Sequence, residues 1–170
     1  MTNTLIEQRT THWTVDPDAT SVEFAVKTFW GLKTVHGRFD RFDGWYEAGP
    51  DGTTIELTID ADSLDTGHAT RDKHLRSTDF FHAADHPQVR FKSTRVHHVT
   101  GEILHVVGHL EAAGEVVVLE FPATVRSLDD GALEFEATTT LDQRELGMSS
   151  GQLGMIRPPA KLHVKARLNR

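Results

Sequence analysis

The sequence predicts an all-β protein, an antiparallel β-barrel of about eight strands with a short helical segment (about 68–82) that closes one side. Three observations predict this fold class. Apolar and polar residues alternate with a period of two in segment after segment, turn residues separate these segments at hairpin distances, and one polar stretch interrupts the alternation. A sheet of this size must pack against another sheet or close on itself, and closure removes the exposed edges.

The strands follow one another along the whole chain. In the clearest run, Ile55, Leu57 and Ile59 occupy one face while the intervening residues are polar, as expected for a strand with one buried face. Turn signals such as Thr100-Gly101 and Ala113-Gly114 lie between neighbouring runs and indicate antiparallel hairpins. Roughly nine runs show the alternation, at residues 13–15, 22–27, 38–46, 53–60, 89–91, 104–110, 117–121, 133–137 and 162–168.

The stretch from Asp65 to His86 breaks the alternation and is too long for an ordinary hairpin loop. Thr66 or Asp65 can cap a short helix over residues 69–77, and Thr78-Asp79 can start a second turn. We expect Leu75, Phe80 and Phe81 to point from this segment into the barrel.

Composition excludes several classes of function. The chain has 18 Lys and Arg against 25 Asp and Glu, a net charge of -7, so it lacks the basic surface of a nucleic-acid-binding protein. It has no cysteine, which removes disulfides and thiolate chemistry. The first nine residues have no basic start followed by an apolar run, and no apolar stretch is long enough to span a membrane. We therefore expect a cytoplasmic protein without a transmembrane segment.

The sequence also resembles a known family, the YceI-like proteins, which are described as polyisoprenoid-binding or lipid-binding domains with a lipocalin-like barrel. The resemblance spans about residues 12 to 168, and its middle block is highly specific. It rests on Trp13-Thr14-Val15-Asp16-Pro17, Ser21-Val22-Glu23-Phe24, Gly37-Arg38-Phe39, Phe42-Asp43-Gly44, Ser63-Leu64-Asp65-Thr66-Gly67, the block from Arg71 to Phe81 and the block from His86 to Thr94.

The resemblance implies an extended lipocalin-like barrel that encloses a long apolar cavity. We expect a single domain over 12–170 and a flexible N-terminus over 1–11. Barrel geometry alone leaves open whether side chains fill the interior or a slim ligand occupies it. With the resemblance we predict a ligand cavity. We expect its wall to include Val22, Phe24, Phe39, Ile55, Leu57, Leu75, Phe81, Phe91, Leu119, Phe135, Leu153 and Met155.

The irregular segment holds polar residues that have two interpretations. Arg71, Asp72, His74 and Arg76 form the candidate polar rim that would orient a ligand head group, while the alternative is that they hold the segment in place through hydrogen bonds and salt bridges.

Histidines in the same segment raise the question of a metal. His82 and His86 have the four-residue separation of a helical zinc pair, but Pro87 follows directly and disfavours a regular helix there, so we predict no metal site.

The main prediction is a protein that binds a polyisoprenoid, an isoprenoid quinone or a fatty-acyl compound for sequestration, storage or transport, without catalysis or a cofactor. The alternative is a cyclase or isomerase acting on an apolar polyene or polyketide, with Asp72, His74 or Glu145 as acid or base. A third alternative is an interaction module with a filled barrel. Val116 and Val118 fall on an otherwise polar face and suggest a homodimer surface.

Overall fold

The computed structural model describes residues 9–28, 33–148 and 156–170, and within them ten strands form one antiparallel sheet. One α-helix, α1 (Ala69–Leu75), and two 3-10 turns, Ala61–Ser63 and Gln143–Leu146, complete the described elements. The strands are β1 (Thr11–Thr28), β2 (Lys33–Phe39), β3 (Phe42–Gly49), β4 (Gly52–Asp60), β5 (Leu64–Asp65), β6 (Gln88–Thr100), β7 (Ile103–Ala112), β8 (Glu115–Ser127), β9 (Leu133–Leu141) and β10 (Ile156–Asn169).

The sheet closes because β1 pairs with β10 along most of its length, from Thr14 opposite Asn169 to Thr28 opposite Ile156. The other edge of β1 is shared by β3, which pairs with its first residues, and β2, which pairs with its last residues. β5 continues β4 in the same way and pairs with β2. The ten strands therefore occupy eight positions around the barrel, and the predicted antiparallel barrel of about eight strands is confirmed.

The up-and-down order gives the barrel two different ends. At one end, called here the helical end, lie residues 61–87, the turn between β7 and β8, and the 3-10 turn that follows β9. At the opposite end, called the hairpin end, lie the tight connections after β3, β6 and β8. The hairpin end is packed with side chains: Leu104 and Val106 are 0% exposed, Ala123 is buried opposite Leu104, and Leu133 is buried at the start of β9.

The helical segment covers one end of the barrel, although it begins differently from the prediction. α1 ends at Leu75 instead of Ser77, and its N-cap is His68, whose Nδ1 accepts a hydrogen bond from the Arg71 amide at 3.3 Å. Thr66 and Asp65, the predicted caps, are engaged elsewhere: Asp65 accepts from the Gly67 amide, and Thr66 bonds to Asp72. The described helices fall short, in length and apolar character, of what a membrane-spanning helix requires.

Candidate functional site: an apolar cavity inside the barrel

The barrel contains a cavity of about 190 Å³. The inward faces of the barrel strands form its wall, and Leu75, Phe80 and Phe81 of the helical segment cover it at the helical end. Leu168, near the end of β10, marks how far the wall extends toward the hairpin end. The cavity is therefore bounded by side chains that period-two alternation turns inward.

Most of the residues predicted for the wall line this cavity. They are Val22, Phe24, Ile55, Leu57, Leu75, Phe81, Phe91, Leu119 and Phe135. Phe39 is a correction: it is buried but does not line the cavity, because its ring packs against Phe24 at 5.4 Å and Phe81 at 5.6 Å between centroids. Leu153 and Met155 lie outside the described residues.

Sequence reasoning missed other wall residues that carry the same alternating signal. All of them lie within the alternating runs identified in the sequence, and counting every inward residue of each run would have found them. They include Val15, Tyr46, Ile59, Val89, Leu110, Phe121, Leu162, Val164 and Ala166. Gln143 also lines the cavity, and nothing in its sequence context indicated this.

The polar content of the wall is small. Burial raises the pKa of the Tyr46 hydroxyl above its usual value, and a hydrogen bond to Thr53 partly offsets this effect. Thr139 and Gln143 contribute a hydroxyl and a carboxamide. Among the described wall residues none is Lys, Arg or His, while the outward-facing Glu23 and Glu56 border the cavity. Such a wall suits an uncharged, mainly hydrocarbon ligand.

The four residues of the predicted polar rim do not line the cavity. The buried Asp72 carboxylate accepts hydrogen bonds from the Thr66 amide, at 3.0 Å, and from the Thr66 hydroxyl. Arg71 donates to the Thr66 carbonyl at 2.8 Å, and Arg76 donates to the Leu64 carbonyl at 2.7 Å. His74 is exposed and lies 3.5 Å from Asp79.

The hydrogen bonds of Arg71, Asp72 and Arg76 fix the helical segment to β5. Their partner Leu64 is part of β5, and their partner Thr66 directly follows it. We expect Asp72→Ala to lower the free energy of unfolding by about 2 kcal/mol, because it leaves the amide and the hydroxyl of Thr66 without their acceptor. Urea denaturation would measure this loss. Asp79→Ala, at an exposed carboxylate, should change stability by less than about 0.5 kcal/mol. Equal effects of the two variants would contradict this role of Asp72.

The histidine pair considered for a metal adopts an edge-to-face arrangement, with 5.3 Å between the ring centroids of His82 and His86. Nε2 of His82 lies 2.9 Å from a carboxylate oxygen of Asp85. In the parts of the chain that the structure describes, no three His, Asp or Glu side chains converge as metal ligands would. The candidate acid–base residues Asp72, His74 and Glu145 are likewise outside the cavity wall.

Solved structures share this fold. BcnA of Burkholderia cenocepacia superimposes with a TM-score of 0.82 over 90% of this chain and 98% of its own, at 19% identity. A polyisoprenoid binding domain from Saccharophagus degradans gives 0.74 over 95% of this chain and 99% of its own, at 14% identity. A YceI protein of Campylobacter jejuni gives 0.66 over 80% and 86%, at 22% identity. At these identities the likeness concerns the fold alone.

Sequence comparison is more specific. A UPF0312 protein of Pseudomonas aeruginosa is 33% identical over 135 residues, which cover 75% of this chain and 70% of the relative. A UPF0312 protein of Pectobacterium carotovorum is 40% identical over 96 residues, which cover 55% and 49%. The family model of the YceI-like domain matches residues 13–168. The chain therefore belongs to the YceI-like family, as its sequence motifs predicted.

Proposed function

We propose that the protein binds a long apolar molecule, of the polyisoprenoid, isoprenoid quinone or fatty-acyl class, inside the barrel, and so sequesters, stores or carries it. The observation that carries this proposal is the cavity itself, lined by apolar side chains from the barrel strands and from the helical segment. The likeness in fold to a protein described as a polyisoprenoid binding domain supports the ligand class.

The energetics favour an apolar chain. An engineered cavity lined by apolar side chains stays dry and binds benzene, and the wall of the cavity here is apolar in the same way. Burial stabilises a bound chain by roughly 0.8 kcal/mol per methylene, so fifteen carbons contribute on the order of 10 kcal/mol before the chain's ordering entropy is subtracted. The remainder supports micromolar or tighter binding.

Binding without chemistry fits the wall better than catalysis does. A cyclase or isomerase needs an acid or base within hydrogen-bond reach of the substrate. Asp72 is engaged by Thr66, and His74 and Glu145 are exposed residues outside the described wall. We infer a carrier or storage protein, in which the length and shape of the cavity select the ligand.

Native mass spectrometry of the purified protein, followed by solvent extraction, tests the proposal. We expect a stoichiometric bound mass of several hundred daltons that extraction releases as a prenyl chain, a quinone or a fatty-acyl compound. Delipidated protein should then take up the extracted compound again. A protein that is purified empty and stays empty when challenged with such chains would contradict the proposal.

Two further predictions accompany this function. Val116 and Val118 are 58% and 63% exposed on β8, and homodimer formation through this face stays a prediction that light scattering would test. The cytoplasmic location also stays a prediction, which cell fractionation would test.

A further inference from the structure

One polar side chain in the cavity wall has no partner among the residues that the structure describes. Gln143 is 5% exposed, and neither Oε1 nor Nε2 has a hydrogen-bond partner within residues 9–28, 33–148 and 156–170. A carboxamide can donate two hydrogen bonds and accept two, and leaving such a group buried and unsatisfied is costly. Structural side chains in the same region do find partners, as Asp72 and Arg76 demonstrate. The unpaired carboxamide of Gln143 therefore requires a hydrogen-bonding group that the described residues do not supply.

The position of Gln143 points to the ligand as the source of that group. It is the first residue of the 3-10 turn Gln143–Leu146, which follows β9 directly at the helical end. Leu141, Leu146 and Met148, its neighbours in the chain, line the same cavity. A molecule that occupies the cavity would thus come close to the carboxamide, and hydrogen bonds made there are shielded from competing water.

The charges around the cavity restrict the chemistry of that group. The described wall contains no Lys, Arg or His, so a phosphate or an ionised carboxylate would be buried there without a counter-charge. Arg144, next to Gln143 in the chain, is exposed and bonds the Asp142 carboxylate with its guanidinium. An uncharged oxygen, such as that of an alcohol, a ketone or an amide, satisfies a carboxamide without this penalty.

The two ends of the barrel then define an orientation for the bound chain. The hairpin end is filled by Leu104, Val106 and Leu133, and the Tyr46 hydroxyl, which lies toward that end of the wall, is hydrogen-bonded to Thr53. Gln143 lies at the opposite, helical end, and Thr139 adds a hydroxyl on the cavity face of β9. A chain with its polar head at Gln143 would extend its apolar tail toward the packed hairpin end.

We propose that Gln143 is the residue of the cavity that binds the ligand head group. It selects chains that end in an uncharged hydrogen-bonding group and orients that group toward the helical end. This inference rests on the proposed function, since it assumes a chain in the cavity. Gln143 acts through direct hydrogen bonds to the ligand. Head-group preference, and not only chain length, then determines which ligand is held.

Three probes with the same twelve-carbon chain test the proposal: dodecane, 1-dodecanol and dodecanoate, each competing with one fluorescent apolar reporter on delipidated protein. We expect Gln143→Met to lower the affinity for dodecanol relative to dodecane by about fivefold, the order of one net hydrogen bond. Comparing this ratio between the variant and the wild-type protein cancels the different solubilities of the probes. Wild-type protein should bind dodecanoate about tenfold or more weakly than dodecanol.

Gln88→Met is the matched control, because Gln88 is exposed on β6 and does not line the cavity. It should leave the dodecanol-to-dodecane ratio unchanged. If Gln143→Met does not fold, Gln143→Asn repeats the comparison with the carboxamide withdrawn by one carbon and should lower the same ratio. An unchanged ratio in the Gln143 variant overturns the role of Gln143 and leaves the proposed function intact. Failure of every probe to displace the reporter from wild-type protein overturns both.

Discussion

Ala137→Phe is expected to block ligand uptake while the barrel stays folded. Ala137 lies in the middle of β9, paired with Val164 on one side and Ala123 on the other, and its methyl group faces the cavity. A phenyl ring at this position fills space that a bound chain would occupy. Displacing three or four methylenes, at roughly 0.8 kcal/mol each, corresponds to a loss of affinity of about 100-fold.

The neighbouring residue provides the control. Thr138 points outward on the same strand and is exposed, so Thr138→Phe adds the same ring without entering the cavity. Competition binding of a long-chain probe would compare the two variants, and a thermal melt would check that both are folded. Undiminished binding by a folded Ala137→Phe protein would show that the ligand does not occupy this cavity. If the phenyl ring overpacks the interior, Ala137→Leu gives the same comparison with a smaller side chain.

The fold could be predicted from the sequence because a half-buried strand imposes a period of two on its side chains, and most strands here keep that period. Where a strand has an irregularity, the inward-facing positions change from odd to even residue numbers or the reverse. In β1 the pairing with β10 shifts between Asp16 and Ser21, so Val15 and Val22 both line the cavity although they are seven positions apart. A similar shift lies between Ser93 and Arg95 of β6. Such bulges depend on tertiary pairing, so the alternation alone does not predict where they occur.

Phe39 illustrates a different limit. Its inward direction in β2 follows from the alternation, and it is buried as expected. Opposite Phe24, however, β2 has Gly37, where an added Cβ would lie only 2.2 Å from the ring of Phe24. The ring of Phe24 therefore lies over β2, and with Phe81 it covers Phe39. Which inward residue touches the cavity is thus decided by the packing of three aromatic rings, which the sequence pattern does not describe.

The polar residues were the hardest to assign. Arg71, Asp72 and Arg76 fit the alternative interpretation, in which hydrogen bonds hold the segment 68–82 in place. Their partners belong to residues 62–66. Gln143 could not have been found in this way, because Asp142-Gln143-Arg144-Glu145 has the composition of an exposed turn. Its burial follows from where the turn sits, across one end of a closed barrel.

Leu104→Ala is expected to have the largest effect on stability. Leu104 is completely buried at the hairpin end, with Ala123 opposite it on β8, and truncation of such a leucine lowers the free energy of unfolding by about 2–5 kcal/mol. Urea denaturation of ligand-free protein would measure the loss. Val118→Ala, at an exposed position on β8, should stay within about 0.5 kcal/mol of wild type.

Leu104→Ala also tests how the cavity limits the length of the bound chain. Affinity should rise by about fourfold per added methylene until the tail meets the packed hairpin end, and then stop rising. Leu104→Ala creates space at that end, so we expect it to shift the preferred chain to a longer one even though the protein is less stable. A series of alcohols of increasing length, competed against one fluorescent reporter, would locate the limit in both proteins. An identical limit would mean that Leu104 does not form the floor that ends the bound chain, and that some other part of the wall sets its length.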